Sequence, residues 1–355
     1  MSNESTFAAE RVMSAEAFGR LLRAPMLAEE HSVVSGCDWV EIDLDSVFDG
    51  NTNALFPSGE QVWLPNAPVL GFSRQSFESL TTTHTQLLSW VDLVITPDLP
   101  QAMIVQTLEH LAGNPAAITG LVPLLRQNSD LSVNQGLLLE SLMYSTLQHG
   151  AEFESWLAQR NTKTKTIQRE PVQTEPVIEI SRRDDELTIT LDRPDKHNAF
   201  SAAMRDELCQ ALYLAQADAT IQHITLEGRG ASFCSGGDLD EFGTARDAGL
   251  AHLTRTTRSP ARLIHALADK TTAHLHGACI GAGIEMTAFA GHVTATEETT
   301  FALPEVGFGL VPGAGGTVSI PRRIGRHRAA LLAISGCAIH AARALDWGLI
   351  DDVVN

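Results

Sequence analysis

Positive charge and aromatic surface are what this sequence has least of. Its 355 residues carry 25 Lys and Arg against 43 Asp and Glu, a formal net charge of -18 at pH 7, and only two Tyr among 6% aromatic residues. Nucleic acid and anionic membrane surfaces repel such a chain, and a base-stacking surface needs more aromatic side chains. The five cysteines (Cys37, Cys209, Cys234, Cys279, Cys337) are scattered, with no C-x-x-C pair and no His at ligand spacing. That excludes a disulfide framework or zinc site and predicts reduced, mostly buried thiols. The N-terminal MSNESTFAAERVMSAEAF is polar without an apolar signal core, and no apolar run is long and uninterrupted enough to span a bilayer. The expectation is a cytoplasmic protein with no metal and no redox cofactor. With 44% hydrophobic and 19% charged residues, the chain is ordinary globular material with room for two domains.

A polar, Pro-containing stretch, NTKTKTIQREPVQTE at 161–175, reads as a linker and divides the chain into unlike halves. Three parts are expected: an N-terminal region 1–160, a linker 161–176, and a catalytic domain 177–355. After the linker, strand and helix signals alternate. Residues 177–191 read as two strands around an Arg-Asp-Asp turn, 201–218 as a helix capped by Ser201, and 223–228 as a short strand leading into GRGASFCSGGD. A helix near 259–268, the strand TTAHLHG and the loop GACIGAGIE follow. This repetition predicts an α/β fold with chemistry at strand-to-helix loops. Before the linker, DWVEIDL and PVLGFS have strand character, and the text from Ala102 onward is helical, with a break at Gly113 and Pro115. No phosphate loop, metal cluster or catalytic signature is visible before residue 160.

Three motifs carry chemistry. In ASFCSGGDLDE, consecutive glycines let backbone N–H groups approach a ligand, with Asp238 placed to cap a helix starting at Leu239 or Asp240. In GACIGAGIE, small residues again lead into a helix with Glu285 on its first turn. In FALPEVGFGLVPGAGG, Glu305 follows Pro304 in an apolar setting that would raise its pKa toward neutrality. Each alone is equally an ordinary Gly-rich turn or a solvated carboxylate. Together, two oxyanion loops and two glutamates form a site for moving protons next to a carbonyl.

The ordered set RPDKHNAFS, FCSGGDLDEF, HGACIGAGIE and FALPEVGFGLVPGAGGT resembles the motifs of the crotonase (enoyl-CoA hydratase/isomerase) superfamily, almost continuously from residue 177 onward. The resemblance implies a spiral of ββα units in the C-terminal half that binds an acyl-CoA thioester and stabilises its enolate. It assigns the two oxyanion N–H groups to Gly237 and Ala282 and the catalytic carboxylates to Glu285 and Glu305, which would hold and deprotonate water while a carboxyl protonates C2. It places CoA along Lys196, Ala199, Ser235, Asp238 and Leu239, with Lys196 as a phosphate contact. Two positions depart from the common pattern: Ala282 stands where many members have Gly, and His276 where Asn is common, as either a core imidazole or a site residue.

Superfamily members continue past the GLIDDVV element with helices that complete the acyl pocket and the trimer, whereas this chain stops at Asn355. Tail-like phrases occur upstream instead, in WVDLVITPDLPQAMIVQTLEHLAGNPAAI and LLLESLMYSTLQHGAEFESWLAQR. The arrangement resembles a permuted crotonase, or a tandem copy with an eroded first half, and predicts a mainly helical N-terminal region, tail-like from about residue 89. A homotrimer or dimer of trimers is expected. The leading expectation is addition of water to a 2-enoyl-CoA. The alternatives are isomerisation of a 3-enoyl-CoA, hydrolysis of a CoA thioester or β-diketone, and non-catalytic CoA binding.

Overall fold

The computed structural model describes residues 12–46, 64–163 and 176–355. Most of the stretch read as a linker therefore lies outside the described residues. Its first three residues are helical.

The chain opens with a small parallel sheet in the order β1-β2-β3-β4, formed by β1 (Met13–Ser14), β2 (Val40–Asp43), β3 (Val69–Phe72) and β4 (Leu93–Ile95). Short helices α1 (Ala15–Leu21), α2 (Leu27–Glu30), α3 (Phe77–Thr83) and α4 (Thr85–Leu88) connect these strands. DWVEIDL and PVLGFS supply β2 and β3. Phe18, Leu27, Ile42, Leu44, Leu80 and Leu87 fill a separate core here.

Four longer helices follow: α5 (Gln101–Gly113), α6 (Pro115–Gln127), α7 (Val133–Leu147) and α8 (Ala151–Lys163). Two of the starts, those of α6 and α7, have a local cause. Pro115 occupies the first turn of α6, where its missing N–H costs nothing. Ser132 and Gln135 form a reciprocal capping box at α7.

Beyond residue 176, antiparallel β5 (Ile178–Arg183) and β6 (Glu186–Leu191) turn at Asp184, and α9 (Ala202–Ala217) follows with Ser201 as its cap. Then come β7 (His223–Gly228), α10 (Ala248–Thr257), α11 (Pro260–Ala266), β8 (Thr271–Leu275), β9 (Ala278–Ile280), α12 (Ala282–Thr287), β10 (His292–Thr296) and β11 (Thr300–Ala302). The last described elements are α13 (Gly316–Ile324), α14 (Arg326–Ser335), β12 (Ile339–His340), α15 (Ala341–Trp347) and β13 (Asp352–Val354). A six-stranded sheet runs β13-β10-β8-β7-β6-β5, and a three-stranded sheet runs β12-β11-β9. Each turn of the chain sends one strand to the large sheet, the next to the small sheet, and then a helix: β8, β9, α12, and again β10, β11, α13. This is the expected spiral of ββα units.

One difference from the sequence reading bears on the site. No helix follows Gly237; residues 239–243 form turns, and α10 begins only at Ala248. Asp238 Oδ2 makes a buried ion pair with Arg193 at 2.7 Å, and its Oδ1 accepts from the Asp240 N–H at 3.1 Å, which closes a turn and not a helix. It therefore does not cap a helix, and Gly237 gains no helix dipole.

Helices α5–α8 share one continuous core with the C-terminal half. Met103, Leu111, Ile118, Leu121 and Phe153 are buried together with Ile284, Val306, Val318 and Leu332. Polar contacts reinforce this. His110 Nδ1 donates to the Ile334 carbonyl at 2.6 Å. Asn128 donates to the carbonyls of Thr317 and Val318, and Arg322 donates to those of Asn128 and Leu131.

Candidate active site

The small sheet carries the site. The backbone of Cys234 pairs with that of Cys279 in a single β-bridge, both thiols being free, so the chain enters Gly236 and Gly237 alongside β9, which itself leads through Gly281 into α12. Next to them β11 ends at Ala302, and a tight turn Glu305–Phe308 follows. Three chain segments thus finish side by side, which brings residues 237, 282, 285 and 305 to one place.

Gly237, Ala282, Glu285 and Glu305 line a common cavity of about 190 Å³ with Tyr144, Phe242 and Arg255. The backbone N–H groups of Gly237 and Ala282 donate to no acceptor among the described residues. Ala282 stands at the first position of α12, where an N–H has no partner in the helix. Gly281 has φ of +48°, and a Cβ there would lie 2.3 Å from Glu305 Oε1 and 3.6 Å from Glu285 Oε1. Both carboxylates therefore crowd the same glycine.

Their surroundings differ. Glu285 is 2% exposed, and its Oε2 accepts from the N–H groups of Ala314 (2.7 Å) and Gly316 (2.9 Å). Burial pushes its pKa up to about 7, with those backbone donors pulling the other way. Glu305 has a buried Oε2 with no hydrogen-bond partner. Burial first, then the Glu285 charge, raises it well above the ordinary carboxylate range. Two such groups in one cavity do not share negative charge readily, so one holds a proton while the other is ionised.

A third glutamate was not visible in the sequence reading. Glu140, on α7, is 2% exposed. Its Oε1 accepts from the Gly315 N–H (2.7 Å), and its Oε2 from the Thr317 N–H (2.9 Å) and hydroxyl (2.7 Å). The loop 314–317 thus offers alternate N–H groups to Glu285 and Glu140. Desolvation, then the charge of Glu285, pushes Glu140 up to about 8. The only sequence signal was a lone Glu inside the apolar run LLLESL.

The same N-terminal helices build the cavity wall. The ring of Tyr144 packs so close to Gly313 that a Cβ there would meet it at 2.3 Å. Trp156 of α8 packs on Phe308 with centroids 4.7 Å apart, and Phe153 and Phe242 join that cluster.

Of the residues expected along CoA, Asp238 lines the same cavity and Lys196, Ala199, Ser235 and Leu239 do not. Lys196 Nζ lies 3.3 Å from Asp240. Ala199 and Ser235 are half-buried, Leu239 is exposed, and Asp238 is the buried partner of Arg193 described above. The Asp238 carboxylate is thus already engaged. His276 Nε2 contacts the Gly230 carbonyl at 2.9 Å and does not line the cavity. Among the described residues no cluster of metal-ligating side chains occurs, and no helix is long and apolar enough to cross a membrane.

The profile of the family described as Enoyl-CoA hydratase/isomerase matches residues 185–355. The 2,3-dehydroadipyl-CoA hydratase of Escherichia coli (strain K12) is 35% identical over 49% of this chain and 68% of its own length. The 1,2-epoxyphenylacetyl-CoA isomerase of the same strain is 33% identical over 48% of this chain and 66% of its own. A solved enoyl-CoA hydratase from Thermoplasma volcanium GSS1 is 33% identical, covering 51% of this chain and 72% of its own, with a TM-score of 0.47. This chain belongs to the enoyl-CoA hydratase/isomerase family. It spans from 26 to 68% of the length of curated relatives it matches.

Proposed function

We propose that this protein adds water across the double bond of a 2-enoyl-CoA thioester. The observation that carries this reading is the meeting of two buried carboxylates at Gly281, beside two backbone N–H groups with no internal acceptor. In this reading the thioester oxygen lies between the N–H groups of Gly237 and Ala282, which stabilise the enolate that forms as the nucleophile adds at C3. Glu285, ionised near neutrality, takes a proton from the attacking water. Glu305, protonated, delivers one to C2. Afterwards a proton must pass from Glu285 back to Glu305, and their crowding at one glycine keeps that transfer short. CoA runs along Lys196, Ala199, Ser235, Asp238 and Leu239. No metal or redox cofactor takes part, and a trimer or dimer of trimers is the proposed assembly.

The test is a steady-state assay on enoyl-CoA thioesters of graded chain length, with 2-enoyl and 3-enoyl substrates in parallel. Glu285→Gln and Glu305→Gln are each expected to cut hydration by at least ~10²-fold while thioester binding persists. Full activity in both variants, or turnover of the 3-enoyl substrate alone, rules out hydration by this pair.

A further inference from the structure

A second cavity of about 270 Å³ adjoins the catalytic one, sharing Arg205, Arg255, Gly313 and Ala314 with it. It extends past Met286 toward α7, α10 and α11. Its walls include Leu137, Leu138, Pro260 and Ala261, and four arginines open onto it: Arg205, Arg255, Arg258 and Arg262. None of Lys196, Ala199, Ser235, Asp238 or Leu239 lines it. Such a lining suits a carbon chain leading away from the thioester and ending in negative charge.

The cationic groups are under-compensated. Arg205 and Arg258 share a single carboxylate, Asp206. Arg255 spends its donors on neutral acceptors: the hydroxyls of Ser141 and Ser145 and the Gln148 side-chain oxygen. Arg262 donates to the Thr257 carbonyl. Among the described residues no carboxylate pairs with Arg255 or Arg262. Glu140 also faces this cavity and its charge acts on Arg255, but its oxygens accept from Gly315 and Thr317 and form no ion pair with an arginine. Arg255 is half-buried with its head 4.8 Å from the Tyr144 ring centroid, and the planar fork of a guanidinium is matched best by a carboxylate. In a chain of net charge -18, four arginines around one cavity mark a local anion site.

We propose that this cavity binds the distal end of an acyl group that terminates in a carboxylate, so that the preferred substrate class is ω-carboxyacyl-CoA thioesters. This rests on the proposed acyl-CoA reading for the direction of the chain, though not on hydration itself. The other source of the same chemistry is a phosphate of CoA.

Calorimetric titration of the full-length protein separates the two. The ligands are saturated ω-carboxyacyl-CoA and plain acyl-CoA thioesters matched in chain length, together with free CoA. Wild type is expected to bind the ω-carboxy series at least about tenfold more tightly at one favoured chain length, as a hydrogen bond to a charged group allows. Arg262→Gln and Arg255→Gln are expected to collapse that ratio toward one. Equal binding of the two series by wild type overturns the proposal, as does absence of binding by either. Variants that weaken both series and free CoA alike assign the arginines to CoA phosphates and overturn it too. A binding preference that persists in a protein unable to hydrate any 2-enoyl-CoA leaves this proposal standing and removes the hydratase reading.

Discussion

The small sheet β1–β4 and the helices α5–α8 both precede the catalytic half, yet they stand in different relations to it. The sheet fills most of its own core, from Ala15 and Phe18 to Val91. It meets the rest through a few apolar residues of β3 and β4, Leu70, Leu93 and Ile95, and through polar contacts such as Arg126 with Asp92 and His327 with the carbonyls of Leu88 and Val91. The helices have no such independence. Their apolar faces are part of the core that holds Ile284 and Val306, and α7 puts a carboxylate against the loop that also anchors Glu285. Position before a linker-like stretch is therefore a poor guide to structural membership. The helices belong to the catalytic body.

The variant with the largest expected effect on this comparison is Glu140→Ala. It strips three buried donors of their acceptor, and unsatisfied buried groups cost about 1–3 kcal/mol each. Denaturant unfolding is expected to show a loss of several kcal/mol, and the shift of the 314–317 loop against Glu285 to lower kcat by about tenfold or more. A neutral effect on both would make α7 a bystander.

The buried carboxylates also set a pH dependence. Activity by the proposed route requires ionised Glu285, so kcat/KM should rise as pH passes about 7 and fall again once Glu305 loses its proton. For stability the sign runs the other way. A carboxyl whose folded pKa is raised binds protons more tightly folded than unfolded. Its contribution is full below the unfolded value and is lost as pH rises through the folded one. Melting temperature is thus expected to fall as pH climbs from the ordinary carboxylate value of 4.5 to about 7 and about 8, and to level off above that. Glu140→Gln should flatten that fall; an unchanged slope would place the titration elsewhere.

Phe18→Ala should have the smallest effect on catalysis. The side chain is fully buried in the N-terminal core, and its loss typically costs about 3–5 kcal/mol. Hydrogen exchange is expected to quicken in β1–β4 while kcat stays within about twofold, as for a site with no contact to the change. A loss of activity as large as that of Glu140→Ala would erase the distinction between the two regions.

Local signals in the sequence were enough to determine most elements of the C-terminal half and the segments that make the cavity. The strand 223–228, the helix after Ser201 and the first-turn Glu285 depend on alternation, capping and small-residue turns, which act over a few residues. The helix expected after Asp238 does not form: Asp238 Oδ1 accepts from the Asp240 N–H, but the chain closes only turns there, and Oδ2 pairs with the distant Arg193. Glu140 was invisible for a related reason: a lone Glu in an apolar helix reads as solvated until the loop 314–317 is folded against it. Nor could spacing show that Arg205, Arg255, Arg258 and Arg262 share a cavity with α7, since helices far apart in the chain enclose it. The sequence by itself determined the Gly-rich loops and placed Glu285 and Glu305 beside them. Tertiary structure alone decided which carboxylates are buried together and which charges lack a partner, because desolvation and pairing depend on contacts across the whole chain.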